Sequence, residues 1–129
     1  MSYYHSTLLK HKTFDQAIGL VTESLKSEGF GILTEIDIRA TMKKKLDVDF
    51  RPYTILGACN PPFAYKALQT EDKIGTMLPC NVIVQELAEG IEIAAVDPVA
   101  SMQAVSNEGL SEIANEIRDK LINAIDRIK

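Results

Sequence analysis

Residues 80–96, CNVIVQELAEGIEIAAV, decide the fold class of this chain. Two short β-prone runs, 80–87 and 91–96, flank Ala88-Glu89-Gly90, a connection that has the length and the glycine of a hairpin loop. A hairpin joins antiparallel strands, whereas parallel strands need a long crossover connection. The stretch therefore predicts an antiparallel sheet, and it argues against the parallel doubly wound sheet that an alternation of helices and strands would otherwise allow.

Three further strands are predicted upstream of the hairpin, at 3–9, 30–36 and 53–59. Each run is short and rich in β-branched or aromatic residues. The run 53–59 is apolar on both faces, which is typical of a strand buried between layers or at a subunit contact.

Helices are predicted between the strands and after the hairpin. Thr13 and Gln16 have the spacing of a capping box before an apolar stripe, and Gly29 supplies a left-handed stop. Asp37 is placed to cap a second helix, and Asn60 to cap a third that starts with two prolines. The predicted helices cover 13–29, 38–46, 61–71 and 108–128, and the segment 99–105 is irregular but apolar. The expected fold is an α+β two-layer sandwich, a curved, mainly antiparallel sheet of about five strands with helices packed on one face.

Composition and charge narrow the class of protein. The 129 residues are 46% hydrophobic and 25% charged, as expected for a single globular domain over 1–129. A net charge of −4 argues against a nucleic-acid partner, because phosphate binding needs a basic face. The one basic run, Lys43-Lys44-Lys45, falls at the end of a predicted helix, where cations complement the helix dipole.

The chain also lacks the marks of a secreted or membrane protein. The N-terminal residues 1–5 show no basic region followed by an apolar stretch, so no signal peptide is expected. No apolar run approaches the roughly 18 residues of a membrane span. We therefore expect a cytoplasmic protein without a structural disulfide, because thiols stay reduced in the cytoplasm.

The two cysteines of the chain lie in near-matching surroundings, Gly57-Ala58-Cys59-Asn60-Pro61 and Leu78-Pro79-Cys80-Asn81-Val82. If the two strands are antiparallel neighbours, Cys59 and Cys80 would face each other at one end of the sheet. Cys59 would also precede a helix N-terminus, where free amides favour a thiolate. Such thiols could exchange with a disulfide or hold a soft metal ion. The alternative is that both are small buried hydrophobic residues.

A metal site at this pair would need further ligands. Structural zinc usually takes four Cys or His ligands in closely spaced clusters, and no such cluster is present beside Cys59 and Cys80. His5, on the first predicted strand, is the candidate that could approach the thiols. A zinc site would therefore require two subunits to pool their ligands.

Asn60, Pro61 and Asn81 complete the candidate binding residues. Two amides that converge with prolines would form a rigid polar corner, which either is purely structural or orients a small ligand. No phosphate-binding loop, nucleophile elbow or His-Glu-x-x-His motif occurs, so no residue is assigned a catalytic role and an enzyme is not the favoured interpretation.

The segments 48–61, VDFRPYTILGACNP, and 78–82, LPCNV, resemble the bacterial and archaeal family called domain of unknown function 302. The similarity covers nearly the whole chain, including Gly29-Phe30-Gly31, the run 64–68 and Asp97-Pro98. The resemblance implies a small α+β domain, often a stand-alone protein, without an assigned activity.

The sequence leaves two functions open. The first is a binding or assembly module whose Cys-Asn corner is structural or orients a small ligand. The second is a thiol redox or soft-metal protein that uses Cys59 and Cys80, with a divalent metal as the one cofactor considered. A homodimer is expected because 53–59, 99–105 and the last helix offer more apolar surface than one sheet face covers, and obligate interfaces resemble a core cut in half.

Overall fold

The computed structural model describes residues 2–129 and contains one five-stranded sheet with helices packed against it. Every pair of neighbouring strands is antiparallel, in the spatial order β1–β5–β4–β3–β2. The strands are β1 Tyr4–Leu9, β2 Gly31–Asp37, β3 Tyr53–Cys59, β4 Cys80–Leu87 and β5 Gly90–Val96. The helices are α1 Phe14–Ser27, α2 Ile38–Leu46, α3 Pro61–Thr70, α4 Pro98–Ser101 and α5 Gly109–Arg127, with a 3₁₀ helix at Asp72–Met77. The predicted α+β class and the hairpin between β4 and β5 are confirmed.

The hydrophobic core lies between one face of the sheet and the pair of long helices, α1 and α5, which contact each other. Strand residues that point to this face alternate with residues that do not, as the two-residue period of a strand requires. The core side chains of the strands include Leu56 of β3, Val82 and Val84 of β4, and Ile93 of β5, all at most 1% exposed. The expected packing of the first and last helices on one face of the sheet is confirmed.

Local sequence signals set the helix boundaries. The Thr13 side chain accepts a hydrogen bond from the Gln16 amide, and the Gln16 side chain accepts one from the Thr13 amide. Gly29 has a φ of 90°, and the Phe30 amide donates to the Leu25 carbonyl, which closes the end of α1 in a Schellman-type turn. The capping box and the glycine stop predicted for α1 are therefore confirmed.

Two segments differ from the sequence expectations. The residues after α3, predicted as a loop, form the 3₁₀ helix and bury Ile74 to 1% exposure. The segment predicted as irregular begins with α4, because the Asp97 side chain accepts hydrogen bonds from the first amides of that helix. Pro98, at the first helical position, has no amide hydrogen to satisfy.

Within residues 2–129, no helix combines the length and the apolar character needed to cross a membrane.

Candidate functional site

The candidate site lies where β3 ends, β4 begins and α3 starts. Because β3 and β4 are antiparallel, these ends meet at one edge of the sheet, and Ala58 lies directly opposite Cys80. Cys59 is one residue beyond this pair and lies opposite Gly31 of β2. The structure thus brings Cys59 and Cys80 to the same end of the sheet, while the residue paired with Cys80 across the strands is Ala58.

An apolar cleft of about 300 Å³ opens beside the two cysteines. It lies between the end of the sheet, α3, the 3₁₀ helix, α4 and α5, so five parts of the chain contribute to its wall. We call this cleft the corner cleft. Its lining is Phe30, Leu33, Ala58, Cys59, Asn60, Phe63, Ala64, Ala67, Leu68, Gly75, Leu78, Pro79, Cys80, Pro98, Met102, Ile113, Ala114 and Ile117.

Polar atoms are scarce in the corner cleft. Among its lining side chains, only Cys59, Cys80 and Asn60 carry a polar or weakly polar group, and the others are apolar. Ligand-binding clefts in proteins combine mostly apolar walls with a few polar groups that fix the orientation of the ligand. The corner cleft has this composition.

The two thiols differ in their surroundings. Cys80 is buried and Cys59 is half-buried, and they are not joined in a disulfide. Burial raises the pKa of the Cys80 thiol to about 11, and charge repulsion from Cys59 contributes to the increase. Cys80 therefore remains a neutral thiol at physiological pH, which disfavours a nucleophilic or metal-ligating role, since both require the thiolate.

The start of α3 offers Cys59 few amide hydrogens. Its first two residues are Pro61 and Pro62, which have no N–H group. The Ala64 amide donates to the Asn60 carbonyl inside the first turn. Cys59 therefore has fewer free amide donors nearby to favour a thiolate than an ordinary helix start provides, contrary to the expectation from sequence.

Asn60 does not cap α3 with its side chain, contrary to the expectation from sequence. Instead, its Nδ2 donates to the backbone carbonyl of Glu28 at 3.2 Å, across the turn that ends α1. A Cβ on Gly29 would lie 3.0 Å from the same nitrogen, so the amide packs tightly against the glycine turn. Asn60 is 7% exposed and connects the wall of the corner cleft to the α1 terminus.

The other predicted site residues lie apart from this amide. Asn81 is exposed and borders a basin on the opposite face of the sheet, so the two amides do not converge. Pro61 is exposed at the first position of α3 and does not line the corner cleft. His5 lies on β1, two strands away from β4, and its Nε2 is 2.7 Å from Oδ1 of Asp126 in α5. The structure therefore gives His5 a partner other than the thiols.

Metal coordination at the cysteines would require additional donors. Across residues 2–129, no three or more His, Cys, Asp or Glu side chains cluster in a way that could hold a metal ion. Cys59 and Cys80 by themselves fall short of the four ligands of a structural zinc site.

Most of the cleft wall was not identified from the sequence. Leu68 and Leu78 lie in segments that resemble the family, but nothing in those segments marks them as cleft residues. Phe63 lies outside any motif, and Ile113 and Ile117 are part of the ordinary apolar stripe of α5. The one available signal was the excess of apolar residues in 99–105, where Met102 lines the cleft.

The fold and the corner cleft define a small α+β protein with an apolar cleft beside the Cys59-Asn60-Pro61 turn. The chain belongs to the family described as domain of unknown function DUF302, whose model matches residues 5–128. It is also similar to a crystal structure of an uncharacterized conserved DUF302 protein from Bacillus stearothermophilus, with a TM-score of 0.92, 28% identity and 100% coverage of both chains. No curated protein matches the sequence.

Proposed function

We propose that this protein is a binding module that holds a small, mostly apolar molecule in the corner cleft. The observation that carries the proposal is the cleft itself, about 300 Å³ of space walled almost entirely by apolar side chains. This volume lies at the lower end of the range for ligand-binding clefts, roughly 300–1,000 Å³. The occupant would therefore be a compact molecule such as a single or fused ring.

The position of Asn60 at the cleft wall favours a ligand that carries one hydrogen-bonding group. Its Nδ2 is engaged by the Glu28 carbonyl, while the amide borders the cleft. A carbonyl oxygen of a side-chain amide has two lone pairs and accepts hydrogen bonds from hydroxyl or amide groups. An apolar ring with a hydroxyl group would place the ring against Phe63 and Leu68 and the hydroxyl beside Asn60.

The test is a titration of the protein with 2-naphthol, an apolar fused ring with one hydroxyl group. The fluorescence of 2-naphthol reports whether its binding is saturable. We expect one equivalent to bind per chain. Replacing Ala64, which lines the cleft and is half-buried, by phenylalanine fills the space and should weaken binding at least tenfold. Ala40→Phe is the matched control, because Ala40 is exposed on α2 and does not line the cleft.

The outcomes separate a cleft-bound probe from one that adheres to the surface. Tight binding in Ala40→Phe combined with loss in Ala64→Phe supports the proposal. Absence of saturable binding to the unmodified protein contradicts it, and so does an equal loss in both variants. Circular dichroism and a thermal melt check that each variant is folded.

A thiol redox or soft-metal function is the second candidate, and the observation in its favour is the proximity of Cys59 to Cys80. Cys80 lies opposite Ala58, the residue before Cys59, and both cysteines line the corner cleft. A reactive pair would include one thiol that alkylates rapidly at neutral pH. Rapid alkylation of Cys59, followed by loss of oxidation or zinc uptake in Cys59→Ser, would favour this candidate. Slow alkylation of both thiols in the folded protein would exclude it.

A cytoplasmic location forms part of the proposal. Both cysteines are free thiols, and free thiols are typical of proteins in a reducing compartment.

A further inference from the structure

The face of the sheet that does not contact α1 and α5, called here the open face, carries a continuous apolar row. Cross-strand partners share a face, so the paired residues trace rows across the sheet. One row on the open face consists of Ile36, Ile55, Ile83 and Ala94, which lie opposite one another in successive strands from β2 to β5. An antiparallel sheet with one face in water normally places polar residues on that face. This row is instead apolar across four of the five strands.

Neighbouring positions extend the apolar surface. Tyr53 of β3 lies in the next row, Tyr4 of β1 pairs with Val96 of β5, and Leu8 of β1 is 38% exposed. Tyr3 is 71% exposed and packs edge-on against Tyr4, with ring centroids 5.1 Å apart. Tyrosine is enriched in protein–protein interfaces because its ring is large, rigid and polar at one end.

The segment between β2 and β3 adds more exposed apolar side chains. α2 packs against these two strands, yet none of its residues is buried. Leu46 and Val48 are 66% and 43% exposed. A short helix that buries none of its side chains gains little stability from packing within one chain. This segment therefore has the surface of an element that packs against something else.

Polar groups on the open face are already connected to one another. Arg51 Nε donates to Gln85 Oε1 at 2.9 Å, and Gln85 Nε2 donates to Glu92 Oε1 at 2.8 Å. The Arg51 guanidinium also lies 4.5 Å from the Phe50 ring centroid. These side chains form their hydrogen bonds within one subunit. Another molecule can therefore cover the face without breaking these hydrogen bonds.

We propose that a second copy of this chain covers the open face, forming a two-fold symmetric homodimer. Five strands about 4.8 Å apart and six to eight residues long present a flat area of roughly 500 Å². A stable interface needs about 800 Å² of accessible surface per partner. The accessible surface of corrugated side chains exceeds its flat projection, so the open face approaches the size that such an interface needs.

Charge and shape also fit an identical partner. Arg51 and Glu92 occupy opposite ends of the hydrogen-bonded chain, and Gln85 lies between them. A two-fold axis that lies in the interface and crosses this chain at right angles at Gln85 would place each charge beside the opposite charge of the other copy. A basin of about 390 Å³ beside Tyr3 and Tyr4 has space for aromatic side chains of the partner. A nucleic acid or an acidic peptide would instead require a basic face, which the Glu92 carboxylate does not provide.

The test is the mass of the protein in solution. Light scattering after gel filtration at micromolar concentration should give twice the 14.3 kDa chain mass. Ile83→Glu places a charge at the centre of the open face and should convert the protein to monomer, with at least a tenfold increase in the dissociation constant. Ile36→Glu makes the same change on the edge strand β2, where the side chain is 45% exposed and a glutamate is easily accommodated in a folded monomer.

Leu20→Glu is the matched control, since Leu20 is 37% exposed on α1, in the helix layer. This variant should remain dimeric. Hydrogen exchange of the unmodified protein at two concentrations gives an independent answer, because amides of β3 and β4 should be more protected in the dimer. A monomeric unmodified protein overturns the proposal, as does a folded Ile36→Glu dimer or a dimer that Leu20→Glu disrupts equally. A second copy paired through strand edges would also leave the Ile83→Glu variant dimeric, which would overturn it.

Discussion

The side-chain amide of Asn60 holds the backbone carbonyl of Glu28 at 3.2 Å, which joins the start of α3 to the end of α1. The two residues are far apart in sequence, yet the bond closes the wall of the corner cleft against the turn at Gly29. Asn60 therefore acts as a buried hydrogen-bond donor to the end of another helix. A donor and a helix cap respond differently to substitution by aspartate.

Asn60→Asp should destabilise the fold about as much as Asn60→Ala. Aspartate caps helices as well as asparagine does, but an aspartate carboxylate cannot donate to the Glu28 carbonyl. We expect a loss of about 1–2 kcal/mol in the free energy of unfolding for Asn60→Ala, the usual cost of a lost buried hydrogen bond. Urea denaturation measures both variants. Asn81→Ala, the exposed asparagine after the second cysteine, is the control and should change stability by less than about 0.5 kcal/mol. Full stability of Asn60→Asp would contradict the donor role.

Gly57→Ala should be among the most damaging small substitutions in the chain. A Cβ at Gly57 would collide with the Thr34 hydroxyl and lie 2.7 Å from Cγ of Pro79. Both neighbours are anchored in or beside the sheet, so we expect a loss of about 3 kcal/mol in the free energy of unfolding. Gly31→Ala is the matched control, because a Cβ there has no heavy atom within 4 Å, and it should change stability by less than about 1 kcal/mol. Comparable losses in the two variants would show that the crowding at Gly57 is relieved by relaxation.

The buried Cys80 thiol should make the protein less stable at alkaline pH. Its pKa is about 11 in the folded state and near the ordinary value of 9.0 when unfolded. The unfolded chain therefore ionises first, so the contribution of this thiol to stability is constant well below pH 9 and falls as the pH rises towards 11. A shift of this size corresponds to about 2–3 kcal/mol.

Urea denaturation of Cys80→Ala and the unmodified protein between pH 7 and pH 11 measures this contribution. The difference between them should change with pH over that window, because other residues titrate equally in both. Cys59→Ala should retain most of the alkaline loss. If the difference between Cys80→Ala and the unmodified protein is independent of pH, the thiol is not desolvated.

His5 should control the titration of Asp126. The pKa of the Asp126 carboxyl is lowered, first by its hydrogen bond to His5 and then by the nearby charges of His5 and Lys129. A lowered folded-state pKa stabilises the protein above the ordinary pKa of aspartate, and this contribution is lost as the pH falls through the lowered value. Both side chains are substantially exposed, so the effect on total stability is small.

Carboxyl NMR titration of His5→Ala measures this coupling directly. The Asp126 pKa should move up towards its ordinary value in this variant. Lys129→Ala should move it less, because the lysine contributes the smaller share. An unchanged Asp126 titration in His5→Ala would show that the 2.7 Å contact is not maintained in solution.

Short-range sequence signals determined the elements of this fold. The glycine in the short β4–β5 connection predicted the hairpin, and Thr13, Gln16 and Gly29 predicted both ends of α1. These features depend on backbone dihedral preferences and on hydrogen bonds between residues a few positions apart, so the local sequence contains the information. The family was also identifiable from sequence, because the motif around Cys59 is continuous in the chain.

Only the tertiary structure decided what the cysteine and asparagine positions do. The register of β3 and β4 pairs Cys80 with Ala58, and the strand alternation places Asn81 on the open face while Asn60 faces the end of α1. A shift of one residue in register would exchange these faces, and no local pattern fixes a register between strands so distant in the chain. The corner cleft likewise arises from five separate segments. Its shape depends on how they pack together, because no single segment of the sequence encloses a cavity.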